Sequence, residues 1–179
     1  MNCQRLLTFS VLLAAPLLSE TLPPDLKVNV ESKAKQLLAW GSDPKIVAAV
    51  KAHNTSQSEA EKSMTNEKWK SLTLLDPLVR SYSKNELAQY IKTKVDDSIA
   101  EAFVSGADGT KVAFLSKPTS WSHKGKDKHD APMSGKTWYG QVEVDQSSGA
   151  QQIQLGIPVL DGGKPIGSIV IGLKVTKLL

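Results

Sequence analysis

The chain opens on an apolar run, residues 6–18, broken only by Thr8, Ser10 and Pro16, with Arg5 before it and Ser19 after it. It is shorter than the roughly 20 apolar residues a bilayer span needs. Its flanks fit a secretory signal over residues 1–19, with an uncleaved anchor as the other reading. Residues 20–30, which contain Pro23 and Pro24, read as an extended leader. Helical patterning follows. Asp43-Pro44 is an N-cap followed by proline at the first helical position, and Ile46, Val47, Ala49 and Val50 then form one stripe. Ser56 and Glu59 have capping-box spacing ahead of a polar helix reaching Trp69, and Asp76-Pro77 starts another turn. Ser83 and Glu86 repeat the capping box, and Leu87, Ile91, Val95, Ile99 and Phe103 fall at four-residue steps. That spacing predicts an amphipathic helix of about five turns.

The period then changes to two. Residues 102–107 and 110–115 read as strands around an Asp108-Gly109 hairpin turn. Residues 116–136 have no apolar period and read as a long loop with room for a short helical turn. Residues 138–144 alternate, with Trp138, Gly140, Val142 and Val144 on one face, and residues 145–149 read as a turn. Ile153, Leu155, Ile157 and Val159 alternate against Gln152, Gln154, Gly156 and Pro158. Asp161-Gly162-Gly163-Lys164 is a further hairpin turn, and residues 166–175 form the last strand. Pro158 marks its strand as a local edge or a bulge. The class is α+β: an antiparallel five-stranded sheet with helices packed on one side. Behind the signal stands one domain, residues 20–179, mainly helical to 103 and mainly sheet from 104.

Composition narrows the chemistry. Of 179 residues, 40% are hydrophobic, the range of globular chains. Cys3 is the single cysteine, so a disulfide framework, a multi-cysteine metal site and a c-type haem are excluded. The net charge of +4 does not point to nucleic acid. G-x-S-x-G, H-E-x-x-H and phosphate-loop patterns are absent, and Asp96 and Asp97 are neighbours that face apart. The sequence therefore offers no catalytic constellation, and neither an enzyme, a cofactor nor a metal is expected.

Several segments resemble the extracytoplasmic PAS-like sensor domains called Cache or PDC domains. They are Ala102-Phe103-Val104-Ser105-Gly106-Ala107-Asp108-Gly109, then Thr119-Ser120, then Val144-Asp145 with Ser148-Gly149, and finally Gly156-Ile157-Pro158-Val159 through Asp161-Gly162-Gly163-Lys164-Pro165-Ile166-Gly167 to Gly172. Asp43-Pro44, Ala49-Val50, Asn54 and Trp69 are similar in the helical half. The resemblance implies a long N-terminal helix, a PAS-like sheet, and a small-ligand pocket between the sheet and the loop after the second strand. It also implies a sensory role, a membrane-bound signalling partner, and dimerisation. The sequence departs from that setting by stopping at Leu179, directly after the last strand, so the expected form is a stand-alone exported module, in the periplasm or outside the cell. Relatives carry an acidic and aromatic run after the Thr-Ser pair. Here the run is Trp121-Ser122-His123-Lys124-Gly125-Lys126, with Trp121 and Lys126 where the acids stand, so no ligand carries over.

The candidate ligand-binding residues follow from that pocket: Trp121, His123, Lys124, Lys126, Trp138, Tyr139 and Gln141. Lys124, Lys126 and Lys128 with His123 and His129 make either a basic lid over a small anion, a carboxylate for instance, or a solvated loop. Trp121 and Trp138 line an aromatic pocket or pack as core. Tyr139 and Gln141 lie on the strand face opposite Trp138. Trp40 and Trp69 read as packing residues. The expected function is an exported sensor module for a small molecule; the alternative is a non-catalytic interaction protein that keeps the fold without a pocket.

Overall fold

In the computed structural model, residues 22–144 and 150–179 are described; the expected signal at 1–19 and the expected turn at 145–149 lie outside them. The first element, α1 (Pro24–Leu37), replaces the expected extended leader. Pro23 itself is extended (ψ 139°), as a residue before proline prefers, and Pro24 then takes the first helical position. Leu26, Val30, Ala34 and Leu37 are buried along one stripe, and that spacing decides the helix. A 3-10 turn (Leu38–Ser42) leads to α2 (Pro44–Thr55), whose N-cap Asp43 accepts from the Lys45 N–H at 3.0 Å. Its other carboxylate oxygen accepts from the Tyr90 hydroxyl at 2.7 Å and from Lys94 Nζ at 2.9 Å.

The polar helix expected up to Trp69 is two short pieces, α3 (Glu59–Lys62) and α4 (Asn66–Ser71). The capping box is Ser58 with Glu61, two residues beyond the expected pair. Asp76 caps α5 (Pro77–Lys84) as expected. The expected five-turn helix is corrected: α6 (Glu86–Lys92) is capped by Asn85 rather than Ser83, and it stops at Lys92. Asp96 Oδ1 then accepts from the Ser98 N–H at 3.0 Å, a local turn that competes with helix, and β1 (Ile99–Gly106) begins. A step of four residues is also two strand repeats, so the apolar spacing at Ile99 and Phe103 did not distinguish the two.

The remaining elements are β2 (Lys111–Phe114), α7 (Asp127–Met133), β3 (Trp138–Val144), β4 (Gln151–Asp161) and β5 (Lys164–Lys174). They form an open antiparallel sheet of order β2-β1-β5-β4-β3, so the class is α+β with five strands. Gly162 and Gly163 have φ of +57° and +83°, which closes the β4–β5 hairpin with both central residues left-handed. β3 pairs with β4 only as far as Trp138 opposite Gly156, so Pro158 sits where β4 is locally an edge.

On one face Val104, Ile169, Ile171, Leu173 and the apolar set of β4 share a core with α1, α2 and α6. The opposite face has a thinner cover of its own. Phe103, Phe114 and Val170 meet Trp69, Val79 and Tyr82 from α4 and α5, and α7 packs across β4 and β5. Gln152, Gln154 and Gly156 are therefore buried rather than solvent-facing.

Candidate functional site

Glu101 of β1 and Gln154 of β4 both pair with Gly172 of β5, so three strands place them abreast. Gly172 has no side chain between them. A Cβ there would lie 2.3 Å from Gln152 Oε1 and 2.7 Å from Glu101 Cγ. The glycine thus lets the flanking polar side chains lean together over the strand. Glu101 Oε1 accepts from Gln152 Nε2 at 3.0 Å and from Gln154 Nε2 at 2.6 Å. Gln154 Oε1 accepts in turn from Lys128 Nζ of α7 at 2.9 Å. Gln152 Oε1 is buried and has no partner among the described residues.

Above this polar floor lies a cavity of about 530 Å³, walled by residues 116–119, His123, Lys128 and Glu143. That volume suits a small molecule. Burial lowers the Lys128 pKa, opposed by the carboxylates of Glu101 and Glu143. Lys117 lines the same cavity, with Nζ 4.9 Å from the centre of the Trp69 ring. The lining therefore holds two ammonium groups and two carboxylates. A second cleft of about 450 Å³ lies against α1, but its charges are already matched as Lys33–Asp96 and Lys177–Asp97 pairs.

Of the seven residues expected at a pocket, His123 is the one in this lining. Its ring stacks on Phe103, centroids 4.9 Å apart and 17° between planes. Its Nδ1 lies 2.7 Å from Nζ of Lys111, a fully buried lysine. Burial and then the neighbouring lysine charge push the His123 pKa down to about 2. Trp121 packs as core, 1% exposed, its ring centre 5.2 Å from those of Trp69 and Tyr82. Lys124 and Lys126 are exposed and stand outside the lining. Trp138 is half-buried at the start of β3, with its ring against Gly140. Tyr139 packs on the core of the other face, and Gln141 is exposed. His129 Nδ1 pairs with Ser168 Oγ at 2.7 Å. Among the described residues no group of three or more metal-ligating side chains comes together.

Sequence reasoning missed Glu101, Lys117, Gln152 and Gln154, and held Lys128 only as one member of the basic lid. Glu101 was hidden inside the expected helix. The glutamines alternate with apolar residues, which reads as a wet strand face unless the cover over it is known. The usable signal was Gly172, a glycine in mid-strand where another chain or ligand comes close.

No protein-family model matches the chain, and no curated protein matches it. Solved structures do. The sensor domain of the V. cholerae histidine kinase DctB matches at 12% identity and a TM-score of 0.43, over 85% of this chain and 58% of that one. The ligand-binding domain of the Pseudomonas aeruginosa PAO1 amino acid chemoreceptor PctC, in complex with GABA, matches at 13% and 0.40, over 86% and 61%. The sensory domain of the Campylobacter jejuni chemoreceptor Tlp3 (CcmL), with isoleucine bound, matches at 12% and 0.41, over 88% and 66%. The chain thus spans about 58–66% of the length of these domains. They are a histidine kinase sensor domain and the ligand-binding and sensory domains of two chemoreceptors. Likeness at this level transfers no ligand and no partner. Among the described residues no helix is long and apolar enough to cross a membrane.

Proposed function

We propose that this chain is an exported sensor module that binds a small molecule between the sheet and residues 116–136 and signals through a partner protein. Export through residues 1–19 puts it in the periplasm or outside the cell. The observation that carries the reading is the built floor: Glu101, Gln152, Gln154 and Lys128 hold one another in a network, yet leave the buried Gln152 Oε1 without a partner among the described residues, beneath a cavity of about 530 Å³. A buried acceptor without a partner is costly, and a ligand N–H answers it. Lys117 and Lys128 supply donors for an anionic group, a carboxylate among them. The best-fitting ligand carries both kinds of group. Because Lys128 sits on α7 and Lys117 at the start of the same loop, such a ligand ties the loop to the sheet. A membrane-bound partner, or a second copy of the chain, then reads the stiffened surface.

A thermal-shift screen of organic acids, amino acids and amines tests this. A compound at about 100 times its Kd adds roughly 2.7 kcal/mol. Glu101→Gln and Lys128→Met should each remove that shift and leave the unliganded protein folded. A screen in which no compound stabilises the protein overturns the reading. The other reading, an interaction protein without a ligand, is favoured by Leu74 and Leu75, 67% and 78% exposed beside Phe114. It expects a captured protein partner whose binding depends on those leucines.

A further inference from the structure

We infer that Lys111 sets what His123 offers to the cavity: it holds Nδ1 as an acceptor, so that Nε2 carries the proton and presents an N–H donor. Lys111 Nζ has three partners, Ser105 Oγ at 3.1 Å, the Gly109 carbonyl at 3.2 Å and His123 Nδ1 at 2.7 Å. An ammonium has three N–H donors, and three acceptors satisfy it. If the buried amine loses a proton, Ser105 supplies a hydroxyl hydrogen to its lone pair, and Nδ1 still accepts. The ring cannot swing away, because Phe103 stacks on it and its own backbone N–H donates to the Gly109 carbonyl at 3.0 Å.

The charged groups around the ring work in the same direction. Lys111 from β2, Lys126 beside it on the loop, and Lys128 and His129 from α7 all disfavour a second ring proton. Glu101 and Glu143 stand in the same cavity lining. His123 is therefore a neutral donor across the ordinary pH range, and the group it reads is a hydrogen-bond acceptor. The ligand part of this inference rests on the binding reading above; the tautomer does not.

The test is nitrogen-15 NMR of histidine-labelled protein from about pH 5 to pH 8. Wild type should show His123 with Nε2 protonated, Nδ1 unprotonated and no titration. Lys111→Met should turn this single state into a tautomer mixture. Lys111→Arg, which keeps a donor, should preserve the Nε2–H form. A protonated Nδ1 in wild type overturns the inference, as does a Lys111→Met spectrum in which His123 is unchanged. Should Lys111→Met not fold, the wild-type spectrum still decides. If wild type shows Nε2–H and no compound stabilises the protein, the binding proposal fails and the role of Lys111 stands.

Discussion

Trp69 and Trp121 sit in one aromatic cluster, yet they differ in a single hydrogen bond. Trp69 Nε1 donates to the buried Pro118 carbonyl at 2.7 Å, whereas Trp121 Nε1 is buried with no partner among the described residues. Replacing Trp69 by Phe removes ring volume and orphans that carbonyl; replacing Trp121 by Phe removes ring volume and an already orphaned donor. An orphaned buried group costs about 1–3 kcal/mol. Trp69→Phe should therefore destabilise the protein by roughly that much more than Trp121→Phe, measured by urea unfolding. Equal losses would mean that packing alone governs the cluster. At this scale the sequence was half legible. Trp69 reads as a packing residue because it lies in the helical half, and it is one. Trp121 lies in a segment without apolar period, so nothing local shows that the loop folds back under α4 and α5. The same applies to Gln152 and Gln154, whose burial is decided by α7, a distant element.

At the scale of elements, two glycines of β5 have different tasks. At Gly167 a Cβ would come within 2.4 Å of the Ser105 backbone carbonyl oxygen on the neighbouring strand. Backbone cannot step aside cheaply, so Gly167→Ala should push β1 from β5 and cost roughly 1–3 kcal/mol in urea unfolding. At Gly172 the obstructing atoms belong to the side chains of Gln152 and Glu101, which can rotate. Gly172→Ala should cost less stability than Gly167→Ala and break up the cavity floor, weakening a screened ligand by tenfold or more in calorimetric titration. If Gly172→Ala binds as wild type does, the floor is not the binding surface. The sheet was the legible part of the fold. Period-two patterning over β4 and β5, with Asp161-Gly162-Gly163-Lys164 between them, has one physical solution, a tight hairpin. The α6–β1 junction was not legible, because apolar residues four apart satisfy a helix face and a strand face alike. What decides there is the Asp96–Ser98 turn and the pairing of β1 with β5, and the pairing is non-local.

For the whole molecule, the three histidines are all buried, and burial lowers the pKa of each. For His123 the folded value is about 2, against the ordinary histidine value of about 6.5. A histidine with a depressed folded pKa takes up its proton more readily in the unfolded chain. Its contribution to stability is thus complete above the unfolded value and is lost as pH falls toward the folded one. His123, held neutral, removes about 1.4 kcal/mol per pH unit below about 6.5. Asp43, Glu61, Asp96 and Asp108 are lowered as well, so their contributions fade only at lower pH, below their unfolded values near 4. Between roughly pH 6.5 and 5 the histidines therefore dominate the slope. His123 alone should cost about 2 kcal/mol on going from pH 7 to 5, and His53 and His129 add to it in the same direction. Urea unfolding at the two pH values measures the loss, and in His123→Phe the slope should be smaller by the His123 share. A flat profile across that interval would show that the folded protein admits these protons, and would remove the ground for treating His123 as a neutral donor.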